Sequence, residues 1–181
     1  MTAPETTTRT LHGIPIRVTN PGTWGSDEHV FGKIRGALDL IATHQRRRLR
    51  RMRGDFERIE IRLHPPCRAA FLMPARACLL DVYFVATFPP EQIASSVVHE
   101  AIHARIRRAG VRTAELDRAR EERLCRSAEL DFGLAVPGGA AVVERARASL
   151  ALGDEEVAPT IDWDVFRRSA AAGSDSGGRP G

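Results

Sequence analysis

The sequence predicts an α+β domain, a small sheet followed by packed helices. Three observations carry this. Residues 14–18 and 59–63 alternate between apolar and polar, and residues 79–88 form a nearly continuous apolar run. Three longer segments repeat apolar residues at three- and four-residue spacing, the mark of amphipathic helices. Proline and glycine pairs separate these segments.

Taken in order, Ile14-Pro-Ile-Arg-Val18 is a short strand and Asn20-Pro-Gly-Thr a turn. Ser26-Asp27 caps a helix whose stripe is Val30, Ile34, Leu38 and Ile41. The spacing predicts that it continues to Arg53. Its cluster of arginines, Arg46 to Arg48, Arg50, Arg51 and Arg53, then lies at a helix C-terminus, where cations suit the dipole. Ile59 to Leu63 is a half-buried strand ended by Pro65-Pro66, and Ala69 to Met73 is a further short strand. Leu79 to Phe88 reads as the strongest strand, apolar enough for burial on both faces. Pro89-Pro90 breaks it and starts a helix over Glu91–Ala109, which Gly110 stops. Helices over Thr113–Phe132 and Gly139–Leu152 follow, separated by Pro137-Gly138.

The 181 residues, 19.9 kDa, suit one domain, read here at 11–168 between small-residue tails at 1–10 and 169–181. No run of 18 apolar residues is present, and Met1 to Thr10 lacks the apolar segment of a secretory signal. Three cysteines, Cys67, Cys78 and Cys125, suit free thiols in a reducing compartment, so a cytoplasmic location is expected. Net charge is +4, yet Lys33 is the only lysine and arginine is scattered along the chain. The one cluster, at 46–53, has no interleaved aromatics, which argues against nucleic acid as a partner.

The decisive feature is His99-Glu100-Ala101-Ile102-His103. Histidines four apart on a helix project from one face and can share one metal ion. Glu100 then lies beside the metal, placed to take a proton from water and pass it to a leaving amine. Zinc is the expected ion, because it accepts imidazole and carboxylate and keeps an open position in catalytic sites. With 6 histidines and 13 glutamates, the chain would match this spacing by chance roughly 0.014 times. The other four histidines show no ligand spacing.

A catalytic zinc site needs a third protein ligand. The metzincin pattern is excluded, since Ile106 and Ala109 occupy its glycine and histidine positions. The next helix offers Glu115, Asp117, Glu121, Glu122 and Glu129. At about 1.5 Å of rise per residue, Glu121 and Glu122 return level with the histidines.

His99-Glu-Ala-Ile-His103, then Arg120-Glu121-Glu122-Arg-Leu-Cys125 and Leu134-Ala-Val-Pro137, resembles the small single-domain gluzincin metallopeptidases, which include ImmA/IrrE-like peptidases. The resemblance spans about Leu79 to Pro137. It implies a zincin-like fold in which a small sheet packs with the motif helix and a following ligand helix. It implies His99 and His103 as ligands, Glu100 as general base and Glu122 as third ligand. Cys125, Glu129 and Phe132 continue the face of Glu122, whereas Glu121 continues into Leu124, Cys125 and Ala128 and stays open as the alternative. It further implies peptide hydrolysis, with an extended substrate pairing along the strand before the motif helix, here Leu79 to Phe88. Tyr83 on that strand is a candidate to polarise a carbonyl. A metal-stabilised binding domain that touches nucleic acid through Arg46–Arg53 is the alternative function.

Overall fold

The computed structural model describes residues 5–64, 67–110 and 118–158. They form an α+β structure of five strands and seven helices among the described residues. The 169–181 tail, Pro65-Pro66, Glu115 and Asp117 lie outside them.

The chain opens with a strand where a tail was expected. β1 (Thr6–Leu11) pairs antiparallel with β2 (Ile14–Thr19), from Thr6↔Thr19 to Leu11↔Ile14. The two residues between them, His12 and Gly13, have φ of 50° and 76°. Positive φ at both central positions is the two-residue hairpin turn whose twist matches the strands. The threonine run is β-branched, so it suits this role.

The single helix expected over 26–53 is two. α1 (Asp27–His44) is capped by the Ser26 hydroxyl, which accepts from the His29 amide, and buries Val30, Phe31, Ile34, Leu38 and Ile41. Gln45, at φ −137° and ψ 49°, breaks the helix. α2 (Arg46–Asp55) starts afresh. Arg46, Arg47 and Arg48 therefore occupy the first turn of a helix, at its positive end, and not a C-terminus.

β3 (Arg58–Arg62) lies parallel to β2, and α1 and α2 form the crossover that such pairing needs. β4 (Ala69–Leu72) and β5 (Ala77–Asp81) are an antiparallel pair, and β5 also lies parallel to β3. The order is β1-β2-β3-β5-β4. β5 is thus internal and wholly buried, and β4 is the edge beside the motif helix.

The strand expected over 79–88 ends at Asp81. From there α3 (Val82–Thr87) begins, capped by the Asp81 carboxylate on the Phe84 amide at 3.0 Å. Burial on all sides hides the difference between a helical and an extended apolar run, so periodicity was blind here. Tyr83 therefore sits on α3, about half exposed, with its ring against the edge of Trp24.

α4 (Pro90–Arg108) carries the motif, and α5 (Arg118–Ala135) packs along it. α6 (Ala140–Leu150) packs on α5 in turn, and α7 (Asp154–Val157) closes the described chain. The turn from α5 to α6 is very tight. A Cβ on Gly139 would lie 2.0 Å from the Gly133 carbonyl oxygen, so only glycine fits. The core joins Ile14, Ile16, Val18, Ile59 and Ile61 of the sheet to the buried faces of α1 and α4. No helix among the described residues is long and apolar enough to cross a membrane.

Candidate metal centre

The 3.6-residue period of α4 puts His99 and His103 on one face, one turn apart. Their imidazole Nε2 atoms approach to 3.2 Å. Glu122 comes from α5 to meet them, with Oε2 at 3.3 Å from His99 Nε2 and Oε1 at 3.5 Å from His103 Nε2. Cys125, one turn further along α5, brings its Sγ to 3.5 Å from His103 Nε2. Ligand atoms of His99, His103 and Cys125 lie within 4.8 Å of one another, so this buried group could hold a metal ion.

Each imidazole is oriented from behind. His99 Nδ1 donates to Glu129 at 2.6 Å, and His103 Nδ1 donates to Glu121 at 2.7 Å. A carboxylate on Nδ1 fixes the tautomer and leaves the Nε2 lone pair for a metal. Glu129 is itself anchored by Arg126 at 2.8 Å, Arg145 at 3.0 Å and the Ser95 hydroxyl at 3.1 Å. Glu121 is held by both its oxygens on Arg107, at 3.0 and 2.9 Å. The two adjacent glutamates thus divide: Glu122 faces the Nε2 atoms, while Glu121 stands behind His103.

Charge in the cluster follows this wiring. Burial opposes a proton on His99, but its hydrogen bonds to Glu122 and Glu129 and the negative charge of Glu100 outweigh it and raise its pKa to about 9. Burial would lift Glu129, yet the His99 bond and the two guanidiniums hold its carboxyl down at about 2. Glu122 and Glu121 are likewise lowered against burial, by His99 and His103 respectively. Glu100 behaves oppositely. It is 5% exposed, and burial raises its pKa despite the two histidines. Burial and four surrounding carboxylates push the Cys125 thiol far above the ordinary range.

A cleft of about 590 Å³ opens onto the cluster, between β4 (Ala69, Ala70, Phe71) and the site residues His99, Glu100, His103 and Glu122. A smaller one, about 280 Å³, adjoins it beside Arg68, Arg126 and Arg145. Tyr83 lines neither cleft, which removes the basis for its expected role. The strand flanking the motif helix at the sheet edge is β4, not residues 79–88.

Sequence reasoning did not assign the supporting groups. Two were visible as spacing: Ser95 lies one turn before His99, and Glu129 lies two turns after Glu122. Arg145 is carried by α6, and no local pattern points to it. No protein-family model, no curated protein and no solved structure matches this chain.

Proposed function

We propose that the protein is a zinc-dependent metallopeptidase with a zincin-like, gluzincin-type arrangement. The observation that carries this is that the Nε2 atoms of the two α4 imidazoles and the Glu122 carboxylate of α5 meet within 3.2–3.5 Å of one another. A tetrahedral zinc with bonds of about 2.0–2.1 Å separates its ligand atoms by about 3.3–3.4 Å. Here the two Nε2 atoms lie 3.2 Å apart, and Glu122 meets them with different oxygens, Oε2 at 3.3 Å from His99 and Oε1 at 3.5 Å from His103. Two nitrogens and one carboxylate, with Nδ1 of each ring on a second carboxylate, is the donor chemistry zinc takes in hydrolytic sites.

In this reading His99, His103 and Glu122 hold the metal, and Glu129 and Glu121 orient the rings. Zinc, when bound, supplies Lewis acidity toward water and a substrate carbonyl. Glu100 takes the proton from the attacking water and delivers it to the departing amine, a task helped by its raised pKa. The peptide lies extended in the cleft, where the outer edge of β4 offers backbone groups for strand addition. A cytoplasmic place is part of the proposal, resting on three cysteines that are all free.

One observation favours a second reading. Cys125 Sγ, at 3.5 Å from His103 Nε2, is close enough to be a fourth ligand, which would close the site and make it structural.

One experiment separates the two. Zinc-loaded protein is expected to carry about one zinc per chain, measured by elemental analysis, and His99→Ala to lose it. Glu100→Gln should keep the metal and lose cleavage of a peptide library. Cys125→Ala should keep both. Loss of zinc in Cys125→Ala would establish the closed, structural site. Zinc-free wild type after loading would end both readings.

A further inference from the structure

A second cavity, of about 650 Å³, lies between α2 and the α4 surface that carries Ala101, Ile102 and Arg105. Its volume is that of a small-molecule site. Its wall is cationic. Arg46, Arg47, Arg48 and Arg51 from α2 line it, with Arg105 from α4. The one carboxylate in the wall, Asp55, is shared between Arg108, outside the cavity, at 3.1 Å and Arg105 of the wall at 3.9 Å. Among the described residues, Arg46, Arg47 and Arg51 show no carboxylate partner.

This arrangement is electrostatically expensive. Like charges share one concavity, where low-dielectric walls focus the field. Arg48 is half-buried, and desolvation lowers its pKa, with the negative charge of Asp131 acting against that. Arg46, Arg47 and Arg48 also stand at the positive end of α2, so the helix dipole adds to the repulsion. A dianion with several oxygens answers all these costs, and guanidinium forks match its geometry. The floor is different in kind. Met52, Ala101 and Ile102 are apolar.

We propose that this cavity binds a small phosphorylated molecule, its phosphates on the α2 arginines and its body over Ile102. The site lies on the other flank of α4 from the metal ligands and is independent of the peptidase reading. Duplex DNA is the competing ligand, but an open concavity with an apolar floor and no aromatics suits a small molecule better than a duplex backbone.

The test uses full-length protein and calorimetric titration with inorganic pyrophosphate and with fructose 1,6-bisphosphate. Both are expected to bind once per chain, the sugar bisphosphate more tightly. Arg47 and Arg51 are exposed, so the double variant Arg47→Ala/Arg51→Ala should fold, as circular dichroism would confirm. It should weaken both ligands by about tenfold or more. Arg147→Ala, an equal loss of charge per site on α6, should leave them unchanged. The proposal is overturned if neither ligand binds at millimolar concentration. It is also overturned if Arg147→Ala weakens binding as much as the double variant, or if only a DNA duplex binds in an Arg47- and Arg51-dependent way.

Discussion

At the scale of single residues, the site is held together by groups that never face the metal position. Glu129 is 2% exposed and carries His99, Arg126, Arg145 and Ser95 at once. Removing its charge leaves two guanidiniums and an imidazole without their shared anion. Breaking such a buried pair costs about 3–5 kcal/mol, so Glu129→Gln should lower the urea midpoint sharply. The same change should weaken zinc binding by about 10–100-fold, because Glu129 fixes the His99 ring. An unchanged zinc affinity would show that α4 alone orients that ring. The thiols give a pH prediction. Burial raises Cys67 to about 11 from an ordinary value of 9.0, and it raises Cys78 as well. The folded thiols hold their protons where unfolded ones lose them, so these groups make stability fall as pH rises from about 9 toward 11. Iodoacetamide at pH 8.5 should accordingly modify native protein far more slowly than urea-unfolded protein. Rapid labelling of the native chain would contradict this.

At the scale of elements, the α4–α5 pair builds the site and α6 braces it. α4 contributes both histidines and Glu100, and α5 contributes Glu122 with the two carboxylates behind the rings. α6 reaches across with Arg145 to Glu129 and Ser95. The α5–α6 turn decides where Arg145 lands. Gly139 sits against the Gly133 carbonyl, and a Cβ added to Gly133 would lie 3.0 Å from Val142 and Val143. Gly139→Ala should therefore push the helices apart and cost about 1–3 kcal/mol, read by thermal or urea unfolding. Wild-type stability in that variant would mean that the turn has slack. The other instructive element is the segment after β5. Asp81 stands inside an apolar run and stops the strand by capping α3. Aspartate followed by a buried helical turn was visible in the sequence, but the surrounding apolar residues masked it.

At the scale of the whole molecule, a metal held by His99, His103 and Glu122 would join α4 to α5. A ligand that binds only the folded form stabilises it by RT ln(1 + [L]/Kd), about 2.7 kcal/mol at a hundredfold excess over Kd. Removing zinc with a chelator should lower Tm, and adding zinc back should restore it in a concentration-dependent way. His99→Ala should show no such dependence. If wild type shows none either, the convergence of His99, His103 and Glu122 serves packing alone. The sheet contributes differently. Its edge strand β4 borders the cleft, while the opposite edge, β1, lies four strands across the sheet order. In the peptidase reading, substrate would therefore pair along the β4 edge.

The sequence by itself determined the motif helix, its two histidines and Glu100, because a four-residue repeat on a helix is local geometry. It also determined the α+β class, since strand and helix periodicities are local too. It narrowed the third carboxylate to neighbouring glutamates, since rise per residue brings both to the right level. Only tertiary structure decided which side of α5 faces α4, and so put Glu122 beside the Nε2 atoms and Glu121 behind His103. It also decided that residues 79–88 divide into strand and helix, that Thr6–Leu11 joins the sheet, and that the arginines of α2 gather around a cavity. These outcomes depend on contacts between segments distant in the chain, where packing and charge pairing override any local period.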